Sequence, residues 1–372
     1  MNEQEAQLHY PLGDILPPTG GALEVAPGVK WLRMTLPFAL DHINLWLLRD
    51  ELDGPDGKVR GWTVVDCCIT QDESKAQWEQ IFANELEGLP IVRVIVTHMH
   101  PDHVGLAHWL CARWNAPLWI SATDYNAARI NSQGSSAFGG ESAAAFFASH
   151  GLTDPQAMAQ IKARASYYPG LVPEVPSRFH RMMDGQVIAI GGRNWTCISG
   201  YGHAPEHIAL SCADASLAPT GTAATTPEGR VAGLLISGDM ILPRISTNIS
   251  VYDIEPESNP LTLFLQSIDK FKALHPDTLT LPSHGKPFKG LHTRIAQLHE
   301  HHRDRLAEVM EACQASPCSG TDILPVMFKR KLDLHQTTFA LGEAVAHLHT
   351  LWFEGKLRRL RGSDGIYRFH PA

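Results

Sequence analysis

The chain has 372 residues and a formal net charge of -8, with 44% hydrophobic and 19% charged residues. This composition is typical of a large globular protein and excludes an intrinsically disordered chain. The acidic balance provides no global basic field, which argues against a protein built mainly to bind nucleic acid.

Seven scattered cysteines argue against a disulfide framework and favour a reducing compartment. Cys313 and Cys318 lack a second Cys/His pair at zinc-finger spacing, so we interpret them as ordinary thiols. No leader-like segment and no membrane-spanning apolar run is recognised in the sequence. We therefore expect a cytoplasmic protein with no membrane partner.

Strand and helix signals alternate through the first third of the chain. Residues 1–28 are rich in Pro and Gly and are expected to form an irregular arm. The tract 53–57 predicts a turn, 71–86 predicts a helix, and Ser121 or Thr123 is placed to cap a helix that begins at Asp124. Apolar and β-branched runs predict strands at 29–34, 43–49, 62–66, 91–96 and 118–120.

Residues from 134 to about 176 carry two predicted helices, 141–150 and 155–165, between strand-rich segments. We expect this helical insertion to form a lid or a wall of the substrate pocket, with a structural brace as the alternative. A flexible hairpin loop is expected at 213–230. The other elements predicted in this half are strands at 186–190, 195–199, 207–212, 231–237 and 278–281, and helices at 261–274 and 291–312.

The end of the chain has a different pattern. Helices are predicted at 321–328 and 337–354, and the second is amphipathic. They precede a hairpin that pairs 357–360 with 366–369. Helices followed by a hairpin outline a winged helix, so we assign residues 291–372 to a linker helix and a small winged-helix-like domain.

One cluster of polar residues stands where the strand at 91–96 ends: His98, His100, Asp102 and His103. His98 and His100 project to the same side of an extended backbone, and the other two lie at a helix entry. Neutral imidazole and ionised carboxylate are the ligands that zinc prefers. Four such groups within six residues predict a metal site rather than a surface turn that happens to be rich in histidine.

Three further polar residues follow apolar strands, and each has a glycine beside it: His203 with Gly202, Asp239 with Gly238, and His284 with Gly285. Glycine lets the backbone come close to a crowded centre. Any one of these residues alone would more often be a hydrogen-bonded structural residue. Together with the cluster at 98–103, their positions at strand ends favour one shared site.

In chain order, His98-x-His100-x-Asp102-His103, His203, Asp239 and His284 resemble the metallo-β-lactamase superfamily of binuclear metal hydrolases. Asp66, after an apolar strand, matches the acidic residue that usually opens the pattern of this family. The resemblance covers about residues 29–290, which we take as the catalytic domain. It implies an α/β fold, an αββα sandwich of two mixed sheets with the site at one sheet edge.

The resemblance also implies a role for each residue. One metal would be held by His98, His100 and His203, and the other by Asp102, His103 and His284. Asp239 would bridge the two metals, Asp66 would orient a ligand histidine, and His207 would support a ligand or line the pocket. Two Zn²⁺ ions are implied, with Mn or Fe as alternatives. Zinc is favoured because di-iron relatives that reduce oxygen or nitric oxide carry Glu where this chain has His100.

The chain departs from the family pattern directly after Asp66. Cys67 and Cys68 stand where the family usually has a small residue and a glycine. This departure concerns the local turn and not the ligands. We interpret Cys67 as a buried thiol rather than as a metal ligand.

The resemblance implies a metal-bridging hydroxide that attacks a carbonyl or phosphorus centre, with Asp102 or a metal-bound water returning the proton. The tail resembles that of lactamase-like proteins called type 2, which include thioester or ester hydrolases and an endoribonuclease. We expect a small-molecule thioester, ester or lactone as the substrate, because the chain is acidic and the insertion can form a pocket. The alternatives are an endoribonuclease that holds RNA through 329–331, Arg358, Arg359 and Arg361, and an inactive scaffold, against which the complete ligand set argues.

Residues that contact the substrate are only weakly indicated by the sequence. Tyr201, Arg244 and Tyr252 lie near ligand segments and are candidates outside the catalytic set. Nucleic acid is disfavoured as a partner, because basic clusters such as 329–331 are usually solvated faces. Homodimer formation is left open.

Overall fold

The computed structural model describes residues 3–54, 57–134, 139–217 and 229–372. Across these ranges two β-sheets stack on each other and helices cover their outer faces. Trp31, Trp46 and Ile95 of one sheet share a buried core with Trp195 and Leu210 of the other. Because the facing side chains of both sheets are apolar, each sheet removes them from water by packing against the other. The αββα sandwich predicted from the sequence is confirmed.

The first sheet contains, in spatial and chain order, β1 (Ala22–Ala26), β2 (Val29–Thr35), β3 (His42–Gly54), β4 (Gly57–Val65), β5 (Ile91–Ile95), β6 (Leu118–Ser121) and β7 (His180–Met182). Neighbours from β1 to β4 are antiparallel, and those from β4 to β7 are parallel. The sequence analysis predicts an irregular arm at 1–28, and this prediction is wrong at 22–26, which form β1. This edge strand is only partly buried, so it lacks the apolar alternation that marks a strand.

The second sheet contains β8 (Val187–Ile190), β9 (Arg193–Gly200), β10 (His207–Cys212), β11 (Leu234–Gly238) and β12 (Leu279–Pro282), with spatial order β12-β11-β10-β9-β8. Only its β11–β12 pair is parallel. The flexible loop predicted at 213–230 lies largely outside the described residues, as do residues 55–56 of the predicted turn.

The helices of the catalytic part are α1 (Asp72–Asn84), α2 (Pro101–Val104), α3 (Ala107–Trp114), α4 (Ala122–Asn131), α5 (Gly140–Ser149), α6 (Pro155–Ala163), α7 (Tyr167–Leu171) and α8 (Pro260–Asp269). Short 3-10 helices lie at Glu5–Gln7, Arg164–Ser166, Ala215–Leu217 and Lys270–Ala273. Ser121, one of the two predicted cap residues, caps α4 by accepting a hydrogen bond from the Asp124 backbone N–H, and the helix begins at Ala122 rather than at Asp124. None of the described helices is both long and apolar enough to span a membrane.

The C-terminal part contains α9 (Leu291–Ala315), α10 (Gly320–Met327), α11 (Leu334–Phe353) and a hairpin of β13 (Leu357–Arg361) with β14 (Tyr367–Pro371). It has its own core around Val309, Ile323 and Phe369. Helix α11 begins three residues before its predicted start, because Asp333 and Gln336 form a capping box. The helices and hairpin occur in the expected order, while the winged-helix assignment stays a prediction.

Helix α11 also packs against the catalytic part. Leu341 and Val345 of this helix share a core with Ile249 and Phe264. Gly342 lies so close to the 250–251 backbone that a Cβ on it would come within 2.8 Å of the Ser250 side chain. The C-terminal part is therefore docked directly on the segment that leads out of the site described below.

Candidate metal centre

The polar residues singled out in the sequence meet at one edge of the sandwich. The 98–103 segment follows β5, Asp66 follows β4, Asp239 follows β11, and His284 follows β12. His203 lies in the turn between β9 and β10. Two backbone bonds join the sheets here, from Ile208 N to Thr97 O at 2.8 Å and from Asn44 N to Ser283 O at 2.7 Å. Because the carboxyl ends of parallel strands share an edge, residues distant in the chain are brought together.

The first donor group consists of His98, His100, His203 and Asp239. His100 Nδ1 lies 2.9 Å from His98 Nε2 and 3.0 Å from His203 Nε2, and the last two nitrogens are 3.2 Å apart. Asp239 Oδ2 lies 3.2 Å from His203 Nε2. Tetrahedral zinc with bonds of about 2.0–2.1 Å places its ligand atoms about 3.3 Å from each other. The four atoms therefore have the spacing of ligands around one cation.

The second donor group consists of Asp102, His103 and His284. Asp102 Oδ2 lies 3.6 Å from His103 Nε2 and 3.4 Å from His284 Nε2. Asp239 Oδ1 faces the same two nitrogens at 3.6 and 3.5 Å. Asp239 thus directs one oxygen to each donor group, as a carboxylate shared by two adjacent cations would.

Two buried atoms at the junction of the groups have no hydrogen-bond partner among the described residues: His103 Nε2 and Asp239 Oδ1. A buried polar atom without a partner costs roughly 1–3 kcal/mol. A cation between them would satisfy both atoms at once. The donor types and these orphaned atoms therefore fit a metal ion, as the sequence predicts.

Asp66 supports the second donor group from behind. Its Oδ2 accepts a hydrogen bond from His103 Nδ1 at 2.8 Å, and its Oδ1 accepts one from Thr97 N at 2.8 Å. The Thr97 hydroxyl also donates to this carboxylate. The arrangement keeps a proton on Nδ1 and turns Nε2 toward Asp102 and Asp239, as a metal-binding histidine requires. Asp66 therefore fixes the orientation of the His103 ring through this hydrogen bond.

Backbone carbonyls hold two other histidines in the same way. His203 Nδ1 donates to Asn248 O at 2.8 Å, and His284 Nδ1 donates to His42 O at 2.7 Å. His207 belongs to neither donor group. Its Nε2 accepts a hydrogen bond from the Asp239 backbone N–H at 3.2 Å, so it positions the residue shared by both groups.

The electrostatics of the site favour the protonation states that bind metal. Burial lowers the pKa of His98 well below its ordinary value and that of His100 to about 3. Burial also disfavours a charged His103, but Asp66, Asp102 and Asp239 outweigh this effect and raise its pKa well above the ordinary value. A cation bound there would take the place of the extra proton, since metal binding is coupled to proton release.

Asp124 is a buried residue that the sequence indicated only as the start of a helix. Its carboxylate accepts hydrogen bonds from Met99 N at 2.8 Å and from Glu206 N at 2.6 Å. It therefore ties the loop of His98 and His100 to the loop of His203. Burial raises the pKa of Asp124 to about 6. No sequence signal distinguished this aspartate from an ordinary residue of a first helical turn.

The two cysteines after Asp66 lie outside the donor groups. Both are fully buried, and burial raises the pKa of each thiol. Cys68 adopts a positive φ of 71°, the conformation that favours the glycine usual at this position. The turn is therefore kept without the glycine, and the interpretation of Cys67 as a buried thiol is confirmed.

The chain matches the models of two known protein families. The model of the metallo-beta-lactamase superfamily matches residues 42–310, and that of the metallo-beta-lactamase-like C-terminal domain matches residues 306–372. The chain belongs to the metallo-β-lactamase superfamily. The resemblance inferred from the sequence motifs is thereby confirmed.

Relatives in the superfamily cover nearly the whole chain. A beta-lactamase domain protein from Burkholderia ambifaria is 51% identical, with full coverage of both chains and a TM-score of 0.88. A metallo-beta-lactamase family protein from Thermus thermophilus is 22% identical, with a TM-score of 0.72 over 94% of this chain and 100% of the other. A Bacillus subtilis protein called "Probable metallo-hydrolase YqjP" is 20% identical over 347 residues, 90% of this chain and 96% of that protein.

Two cavities meet at the donor groups of this superfamily member. The front cavity, of about 520 Å³, is lined by Asp102, Asp239 and His284 together with residues of α7 and α11. The side cavity, of about 300 Å³, lies beyond His100 and His203. The insertion thus supplies part of the pocket wall, through Tyr167 and Leu171 of α7.

The three candidates for substrate contact have different positions. Tyr252 lines both cavities, and Tyr201 lines the side cavity. Arg244 lies on the surface, 71% exposed, and lines neither of them. Of the three, only the two tyrosines are placed where a substrate would bind.

Proposed function

We propose that this metallo-hydrolase is binuclear and zinc-dependent, and that it cleaves a small-molecule thioester, ester or lactone. The observation that carries the proposal is the orientation of Asp239, whose two oxygens face the two donor groups. The first metal is assigned to His98, His100 and His203, and the second to Asp102, His103 and His284. The prevalence of imidazole donors favours zinc over magnesium or calcium.

The metals, when bound, would supply an activated water at neutral pH and polarise the oxygen of the scissile carbonyl. The protein supplies the positioning. Asp66, Asn248 and His42 hold ligand imidazoles through the ring nitrogen that points away from the site. Asp102 lines the front cavity and keeps its side chain 20% exposed, so it is the group placed to return a proton to the leaving atom.

The contacts of the tail support the small-molecule substrate rather than RNA. Arg359 makes two hydrogen bonds to Glu257, at 2.6 and 2.8 Å, and Arg368 is paired with Asp364 at 2.7 Å. The guanidinium of Arg359 also packs over the rings of Trp352 and Tyr367. A carboxylate at this distance offsets part of the positive charge that the arginine would offer to a phosphate. The complete donor set supports an enzyme rather than an inactive scaffold.

The test combines metal analysis with a hydrolysis screen. Purified protein is loaded with zinc, its metal content is measured by mass spectrometry, and turnover is assayed on acyl thioesters, aryl esters, lactones, a β-lactam and single-stranded RNA. We expect two metals per chain and turnover of an acyl substrate. His98→Ala should abolish turnover, while His299→Ala, on the outer helix α9, should not. Cleavage of RNA alone would overturn the assignment of the substrate.

A further inference from the structure

The front cavity has an apolar wall contributed by both parts of the chain. Its apolar side chains include Leu36, Phe38, Leu40, Leu171, Leu242 and Phe339. The first three belong to the loop between β2 and β3, while Phe339 belongs to α11, more than 230 residues after the 98–103 motif. A volume of about 520 Å³ is in the range of small-molecule pockets. Most of the exposed lining is apolar, although polar side chains away from the donors also reach the cavity, among them Thr247, Asn248 and Gln336.

The charges around this cavity disfavour an anion. Among the described residues that line it there is no lysine or arginine, and the carboxylates are Asp102, Asp239 and Asp333. The guanidinium of Arg164 lines a small neighbouring space of about 20 Å³ that shares Tyr167 and Phe339 with the front cavity. A carboxylate or phosphate in the front cavity would therefore meet no lysine or arginine on the described walls of that cavity.

The side cavity has a mixed lining. It shares His100, His203 and Tyr252 with the front cavity, so the two meet at the donor groups. Its walls combine apolar side chains such as Leu263 with the hydroxyl, amide and carboxyl side chains of Thr123, Asn131, Ser258 and Glu255. A molecule that crosses the site would therefore have one portion in the largely apolar front cavity and the other beside these polar side chains.

We propose that the front cavity binds an uncharged, apolar acyl chain, that the side cavity binds a polar leaving group, and that Phe339 of α11 sets the preference for the acyl chain. This proposal rests on the proposed hydrolytic function. In the reaction, water adds its oxygen to the acyl carbon, the bond from that carbon to the leaving oxygen or sulfur breaks, and the leaving atom takes the proton. The products are a carboxylic acid with an apolar chain and a polar alcohol or thiol.

The first arm of the test measures turnover by zinc-loaded protein of p-nitrophenyl esters from acetyl to hexanoyl. Because each buried methylene contributes about 0.8 kcal/mol, we expect kcat/KM to rise about two- to fourfold per methylene. The adipoyl monoester has the length of the hexanoyl ester but ends in a carboxylate, and it should react at least tenfold more slowly. Phe339→Ala should flatten the chain-length dependence, with a larger loss of kcat/KM for the hexanoyl ester than for the acetyl ester. Phe353→Ala, exposed on the same helix, is the matched control and should leave the dependence unchanged.

The second arm measures binding without turnover. Alkyl hydroxamates from acetyl to hexanoyl keep one metal-binding head and vary only the tail, and their affinity for zinc-loaded protein is measured by calorimetry. The same two- to fourfold gain per methylene is expected, and Phe339→Ala should remove most of it. Both arms therefore report on the wall that the C-terminal part contributes.

The two arms separate the failure of this inference from the failure of the proposed function. If hydroxamate affinity rises with tail length but no ester is cleaved, the acyl cavity is supported and the hydrolytic function is wrong. If esters are cleaved without dependence on chain length, or the adipoyl ester is preferred, the hydrolytic function stands and the inference is wrong. If Phe339→Ala and Phe353→Ala have the same effect, the role of Phe339 is overturned.

Discussion

Replacing Asp66 by Asn tests how the second donor group is held. Asp66 is 1% exposed and has a positive φ of 65°, which asparagine tolerates, so the backbone should be kept. In the asparagine variant, the side-chain oxygen would accept the hydrogen bond from the Thr97 N–H, so the NH₂ group would face His103 Nδ1. An N–H donor at that position favours the tautomer with its proton on Nε2. His103 then loses the lone pair that would bind the metal.

The expected magnitude follows from this geometry. Loss of the partner that orients a ligand histidine typically weakens metal binding about 10–100-fold, equivalent to about 1.4–2.7 kcal/mol. The first donor group keeps its three histidines, since none of them is hydrogen-bonded to Asp66. The variant should therefore lose affinity at the second site and keep it at the first.

The assay is zinc titration by calorimetry, followed by metal analysis after dialysis against a weak chelator. We expect wild-type protein to retain two zinc ions and Asp66→Asn to retain one. Asp50→Asn is the matched control, because Asp50 is also buried but pairs with Arg93 away from the donor groups. It should lower stability and leave two zinc ions bound. Wild-type affinity at both sites of Asp66→Asn would refute the reasoning.

Three further changes test the surroundings of the site. Burial raises the pKa of Glu343 from 4.5 to about 7. Between these pH values the folded protein holds a proton that the unfolded chain has released, so the wild-type protein loses stability as pH rises from 4.5 to about 7. Glu343→Gln should therefore be about 1–3 kcal/mol more stable than wild type at pH 8, and about equal to it at pH 4, in urea unfolding. Gly238→Ala adds a Cβ that would clash with His207 Nε2 at a φ of +53°, and should cost about 2–4 kcal/mol of unfolding free energy and weaken zinc binding. Leu341→Ala, fully buried where α11 meets the catalytic part, should cost about 2–5 kcal/mol.

Each of these changes has a control and an outcome that contradicts it. A stability difference between Glu343→Gln and wild type that does not change between pH 4 and 8 would show that Glu343 does not hold the proton. Gly170→Ala has no atom within 4 Å of the added Cβ, so its unfolding free energy should stay within about 1 kcal/mol of wild type. An equally small effect of Gly238→Ala would contradict the steric argument. Leu360→Ala, at an exposed strand position, should lower the unfolding free energy by less than about 1 kcal/mol. A loss no larger than this for Leu341→Ala would contradict the role of Leu341 in the shared core.

The sequence by itself was sufficient for the features that depend on local order. The motif from His98 to His103 follows a buried strand, and His203, Asp239 and His284 each come at the end of an apolar strand. Their positions at strand ends predicted that the seven residues share one site, and their order along the chain carried the family resemblance that implied the fold class. The importance of the glycines beside them was also recognisable from the sequence, because a position with a positive φ or a close backbone contact disfavours a side chain.

Beyond Asp66, His207 and the insertion, only the tertiary structure decided which groups support and enclose the site. Asp124 joins two loops through the backbone of residues 99 and 206, and Arg359 is paired with Glu257, so that the basic tail is partly neutralised. Phe339 reaches the front cavity because α11 docks on the segment after Asp239. These contacts join residues tens to hundreds of positions apart and leave no periodicity in the sequence. Their partners are set by how the sheets, the insertion and the C-terminal helix pack, which no local pattern encodes.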